Sequence, residues 1–132
     1  MIIRTTLLAI ALIALVSSPT LLASEFTIIT QTGRTLLLQS QLDPLQINRI
    51  HSWEITLTDS NSEPVIGAEI SVIGGMPAHD HGLPTQPIAS STDRPGVYVI
   101  EGIRFHMPGD WEMTFTINTP TTSDTGILEF SL

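Results

Sequence analysis

An all-β sandwich of about seven strands is the fold that this sequence predicts beyond residue 24. Three observations predict it. Apolar residues recur with a period of two in short segments. No stretch after Glu25 keeps a helical period beyond two turns. Clusters of Asp, Asn, Ser, Pro and Gly, the residues that favour turns, separate the segments.

The elements follow in chain order. Phe26–Gln31 and Arg34–Ser40 are two strands with imperfect alternation. Trp53, Ile55 and Leu57 alternate with Glu54, Thr56 and Thr58, the pattern of a half-buried strand. Asp59-Ser60-Asn61-Ser62-Glu63-Pro64 is a polar turn leading to a second apolar row, Ile66, Ala68, Ile70 and Val72. Asp93-Arg94-Pro95-Gly96 is another turn and opens the strand Gly96–Phe105. Pro108-Gly109-Asp110 is tight enough to connect it to Trp111, Met113, Phe115 and Ile117. Leu128, Phe130 and Leu132 form the last row. This many short strands in one domain-sized segment, residues 25–132, indicate an immunoglobulin-like sandwich.

Residues 1–24 read differently. Arg4 precedes Leu7–Val16, an uninterrupted apolar run, which is followed by Ser17, Ser18 and Pro19. This is the anatomy of a secretory signal cleaved near Ala23 or Ser24. At helical rise the run reaches about 15 Å, half of a bilayer core, so an N-terminal membrane anchor is the less favoured reading. The expected location is periplasmic or secreted.

Composition narrows the function. The net charge is −8, with 13 carboxylates against five arginines and no lysine. Removing Arg4 with the signal takes the charge from −8 to −9. Such a chain has no means of neutralising nucleic-acid phosphates or an anionic lipid surface. The absence of cysteine excludes disulfides, thiolate metal sites and a cysteine nucleophile. There is no GxSxG, phosphate-binding glycine loop or HExxH, and most carboxylates alternate with core residues, so the chain is not expected to be an enzyme.

The histidines carry the chemistry that remains. Gly74-Gly75-Met76-Pro77-Ala78-His79-Asp80-His81-Gly82-Leu83-Pro84 is a loop by composition. In an extended backbone, His79 and His81 at i, i+2 point to one side and can meet one metal ion. Met76 supplies a thioether three residues earlier. A second cluster, His106-Met107, lies at a strand-to-turn boundary, and His51 opens the strand carrying Trp53. Strand ends gather at the poles of a sandwich, and antiparallel neighbours would place the start of the His51 strand beside the end of the next one. Imidazole with thioether and no thiolate suits copper in an oxidising compartment. Zinc would use the histidines with a carboxylate such as Asp80. The bland reading is a histidine loop that binds nothing, a semi-buried His51 and core methionines at Met107 and Met113. Trp53 and Trp111 read as packing.

The strings His51-Ser52-Trp53, Gly-Gly-Met-Pro-x-His79-x-His81-Gly-Leu-Pro-Thr and Phe105-x-Met107-Pro-Gly-x-Trp111 resemble the YtkA-like/FixH-like family of exported or membrane-anchored β-sandwich domains. The likeness covers roughly Leu45 to Ile117. It implies a metal-handling context and copper or another soft metal, with His51, Met76, His79, His81 and Met107 at matching positions. His106 stands where several residue types are tolerated. Two departures matter: the apolar segment is short for a FixH-type anchor, and no cysteine or cofactor-attachment motif supports electron transfer. The leading expectation is an exported copper carrier or buffer, with the metal ion as partner, beside an exported or membrane protein. The rival is a non-catalytic interaction module that presents Leu83 and Pro84 to a protein partner.

Overall fold

The structure, a computed structural model, describes residues 24–132. The signal or anchor expectation therefore lies outside the described residues, except for Ser24. Among the described residues, nine strands form two antiparallel sheets. The first sheet has the order β1 (Glu25–Ile29), β2 (Thr35–Ser40), β3 (His51–Thr58), β7 (Val97–Ile103) and β6 (Ile88–Ser91). The second has the order β5 (His81–Gly82), β4 (Glu69–Met76), β8 (Asp110–Asn118) and β9 (Ser123–Ser131). Among the described residues, no helix is long and apolar enough to cross a membrane.

The period-two rows become the core. Leu36, Leu38, Trp53, Ile55 and Leu57 of the first sheet are buried, as are Val72, Trp111, Met113, Phe115 and Ile117 of the second, in one continuous apolar cluster. Each such side chain contributes about 1.5–3 kcal/mol when fully removed from water. The strand rows around Trp53 and Trp111 match the expectation closely, because strict alternation leaves a single register that buries every large residue.

Three parts differ from it. Ile66 and Ala68 lie before β4 and not in it, and Ile66 is 70% exposed. Tyr98 pins that stretch instead: its hydroxyl donates to the Val65 carbonyl and accepts from the Ala68 amide. The Gly/Pro-rich segment is not a free loop: Gly75 pairs with Gly82 and Met76 with His81, which closes a β4–β5 hairpin. β6, which alternation did not reveal, pairs with β7 through Ile88–Ser91.

A bulge adds a further difference. His51 pairs with Ile103 but Trp53 with Ile100, so β7 carries one extra residue there. Gly102 adopts φ +83°, a conformation that glycine reaches without a Cβ penalty. The inward parity changes at this point, from Ile100 to Ile103 and Phe105, all three fully buried. Had regular alternation continued from Ile100 without the bulge, His106 rather than Phe105 would point into the core.

The registers bring the start of β3, β5 and β8 and the end of β4, β7 and β9 to one pole. β3 and β4 are not neighbours in a sheet, contrary to the simplest expectation, yet their His51 and Met76 ends share this pole.

Candidate functional site

Three of the four histidines meet at this pole in a row. His79 and His81 have ring centroids 6.3 Å apart with planes at 25°. His81 and His106 are 6.1 Å apart and edge-on. His106 in turn stands edge-on to Trp111 at 5.6 Å. The hairpin places the first pair. The His79 amide donates to the Met76 carbonyl at 3.0 Å, and Asp80 takes φ +50°. Asp is among the few residues that enter the left-handed region readily. The imidazoles are thus neighbours because of a tight turn and not because of an extended backbone.

The turn between β7 and β8 supplies the third ring. Trp111 Nε1 donates to the Met107 carbonyl at 3.0 Å, and the Gly109 amide and carbonyl both pair with Leu132. Gly109 has φ +125°, which only glycine adopts without strain, and a Cβ there would come within 2.9 Å of the Met76 terminal methyl. The Met76 side chain therefore lies beneath the turn that carries His106 and Met107. Met76 is 2% exposed and belongs to the core, and Met107 is partly buried against it.

His51 is placed apart from the row. Its ring neighbours are Trp53, at 6.3 Å, and Phe105, at 5.8 Å. Its Nδ1 lies 3.0 Å from the Arg49 carbonyl, which can only accept, so the proton sits on Nδ1. Burial pushes its pKa down, against a smaller upward pull from that carbonyl, which favours the neutral ring. The Nε2 lone pair is buried and has no hydrogen-bond partner, and His106 Nδ1 is likewise buried and unpartnered. Each unpartnered buried nitrogen costs about 1–3 kcal/mol. A backbone-oriented imidazole with its other nitrogen free is the form in which histidine binds metals. The residues thus fit a metal ion chemically.

Their geometry is a row and not a closed cage. Two imidazoles bound to one ion at about 2 Å with a tetrahedral angle have centroids about 5 Å apart, so both neighbouring pairs, at 6.3 and 6.1 Å, stand wider than that and would have to close on an ion. Among the described residues, no three His, Asp or Glu side chains converge on one point. Beside His81 a cavity of about 390 Å³ opens over Gly74, Gly75 and Gly82, bordered by Asp80 and Glu112. The core row of Trp111 predicts packing alone, yet its ring also stands against His106 at the rim of the site. Leu83 is partly buried against the core, and its amide donates to the Gly74 carbonyl.

An antiparallel sandwich with a histidine row built from one hairpin and one interstrand turn defines the class of protein. The particular family follows from comparison: the YtkA-like family model matches residues 38–116, and the chain belongs to that family. The match spans β3 to most of β8, including all four histidines. No curated protein and no solved structure matches the chain.

Proposed function

We propose that this is an exported, non-catalytic metal-binding domain that carries or buffers copper at its histidine pole. The observation that carries the reading is the His79–His81–His106 row ending on a buried imidazole nitrogen without a hydrogen-bond partner. The ligand set supports copper over zinc. It combines imidazoles with the thioethers of Met76 and Met107 and contains no thiolate. Exposed ligands on a turn suit a carrier, because they exchange with solvent and with an acceptor more readily than a closed cage. His51, in the form with Nε2 free, is the reserve donor at the same pole. Export rests on the signal anatomy of the first 24 residues.

Competitive titration with Cu(I), Cu(II) and Zn(II), beside a His79→Ala/His81→Ala variant, tests this. Stoichiometric copper binding, with the Cu(II) affinity reduced by about tenfold or more in the variant, is the expected result. Copper binding no tighter than about micromolar, or Cu(II) binding untouched by the double change, overturns it.

A second reading has one observation in its favour. Ile73 and Ile127, both at least half exposed, flank Thr114 in a cross-strand row on the outer face of the second sheet. A partner protein docking there would make the histidines structural.

A further inference from the structure

The histidine row has chemically different ends. Its outer end is the hairpin tip, where His79, Asp80 and His81 are all exposed. The donors there are imidazoles and a carboxylate. Its inner end is His106, half-buried against Trp111. The thioether side chains of this pole lie on that side: Met76 beneath the turn at Gly109, and Met107 next to His106 in sequence and packed on the core.

Resting on the metal reading above, we propose that the row carries two separate sites, with no change of oxidation state between them: His79 with His81 binds Cu(II), and His106 with Met76 and Met107 binds Cu(I). Two arguments support the division. Thioether sulfur is soft and favours the monovalent ion, whereas imidazole and carboxylate accept the divalent one. The desolvation cost of an ion rises with the square of its charge, so the half-buried end discriminates against the dication and the exposed end does not. His81 stands between the other two histidines, at 6.3 and 6.1 Å between ring centroids, and belongs to the exposed end.

The test compares two variants with two ions. Cu(II) binding is followed by electron paramagnetic resonance, and Cu(I) binding by anaerobic competition with a coloured chelator. His79→Ala/His81→Ala is expected to weaken Cu(II) at least tenfold and Cu(I) less than about threefold. Met76→Leu/Met107→Leu, which conserves core volume, is expected to do the reverse. X-ray absorption of the unaltered protein provides a readout that needs no variant: sulfur scatterers around Cu(I), and only nitrogen and oxygen around Cu(II). Equal loss of both ions in either variant, or a Cu(I) shell without sulfur, overturns the division while leaving a single copper site standing. Failure of the unaltered protein to bind either ion overturns the metal reading itself, and the division with it.

Discussion

At the end of the sandwich away from the histidines, Asp124 is buried with all its acceptor capacity engaged. It takes hydrogen bonds from the Thr30 and Thr32 hydroxyls and from the Thr32 and Thr125 amides, with Arg34 at 3.8 Å. These contacts tie the β1–β2 turn of one sheet to β9 of the other. At the histidine end, His51 Nε2, Trp53 Nε1, Arg104 Nε and His106 Nδ1 are buried without partners. The Asp124 pole uses its buried polar atoms to join the sheets, with only the Arg34 Nη1 among them lacking a hydrogen bond; the histidine pole leaves four unpaired and closes itself with glycine turns and aromatic rings. Unpaired buried donors and acceptors lower stability, so the two poles contribute unequally to it.

The largest effect expected from this contrast is at Asp124. Asp124→Ala strands four donors and an arginine and should cost about 3 kcal/mol in urea unfolding. A loss under about 1 kcal/mol would show that the clasp does not join the sheets. Gly109→Ala comes next. The residue needs φ +125°, and its new methyl would meet Met76, so a loss of about 2 kcal/mol is expected. That variant should also disturb the turn bearing His106, visible as a change in Trp111 near-ultraviolet dichroism.

Acid separates the two poles in pH. The His51 pKa is lowered in the folded state, so the unfolded chain binds the proton first, and stability falls as pH drops below about 6.5. For Asp124, burial opposes the charge but the Thr30, Thr32 and Thr125 hydrogen bonds outweigh it, and the pKa is lowered. Its contribution is present above about 3.9 and is lost as pH falls through the folded value. Stability measured between pH 8 and 3 should therefore decline in two stages. His51→Gln is expected to remove the upper stage and Asp124→Asn the lower. A single decline common to both variants would contradict the assignment.

The smallest stability effect is expected at the hairpin tip. His79→Ala/His81→Ala alters exposed turn residues and should shift unfolding by less than about 0.5 kcal/mol. A larger shift without metal would mean that the two imidazoles hold the hairpin together.

How much was legible beforehand differs between elements. The β3 and β8 rows could be read directly, because Trp53-x-Ile55-x-Leu57 and Trp111-x-Met113-x-Phe115-x-Ile117 bury a large residue at every second position. β5 and β6 were not legible: two residues at a hairpin end and Ile88-Ala89-Ser90-Ser91 at an edge carry too little apolar contrast to show a period. The Asp124 clasp was invisible, since its partners lie 92 and 94 residues away in the chain. The His79–His81 pair was visible in the spacing, although a turn and not an extended segment brings the rings together.

The sequence by itself determined the all-β class, the inward faces of the long strands and the presence of two His/Met clusters, because alternation and short-range spacing are local properties. Tertiary structure alone decided which histidines meet. The extra residue at Gly102 turns Phe105 inward and leaves His106 at the rim, and the pairing of β4 with β8 brings the hairpin tip to that same rim. It also set His51 apart from the row, against Trp53 and Phe105. Those outcomes depend on register between segments far apart in the chain, and one extra residue reverses every side chain that follows it.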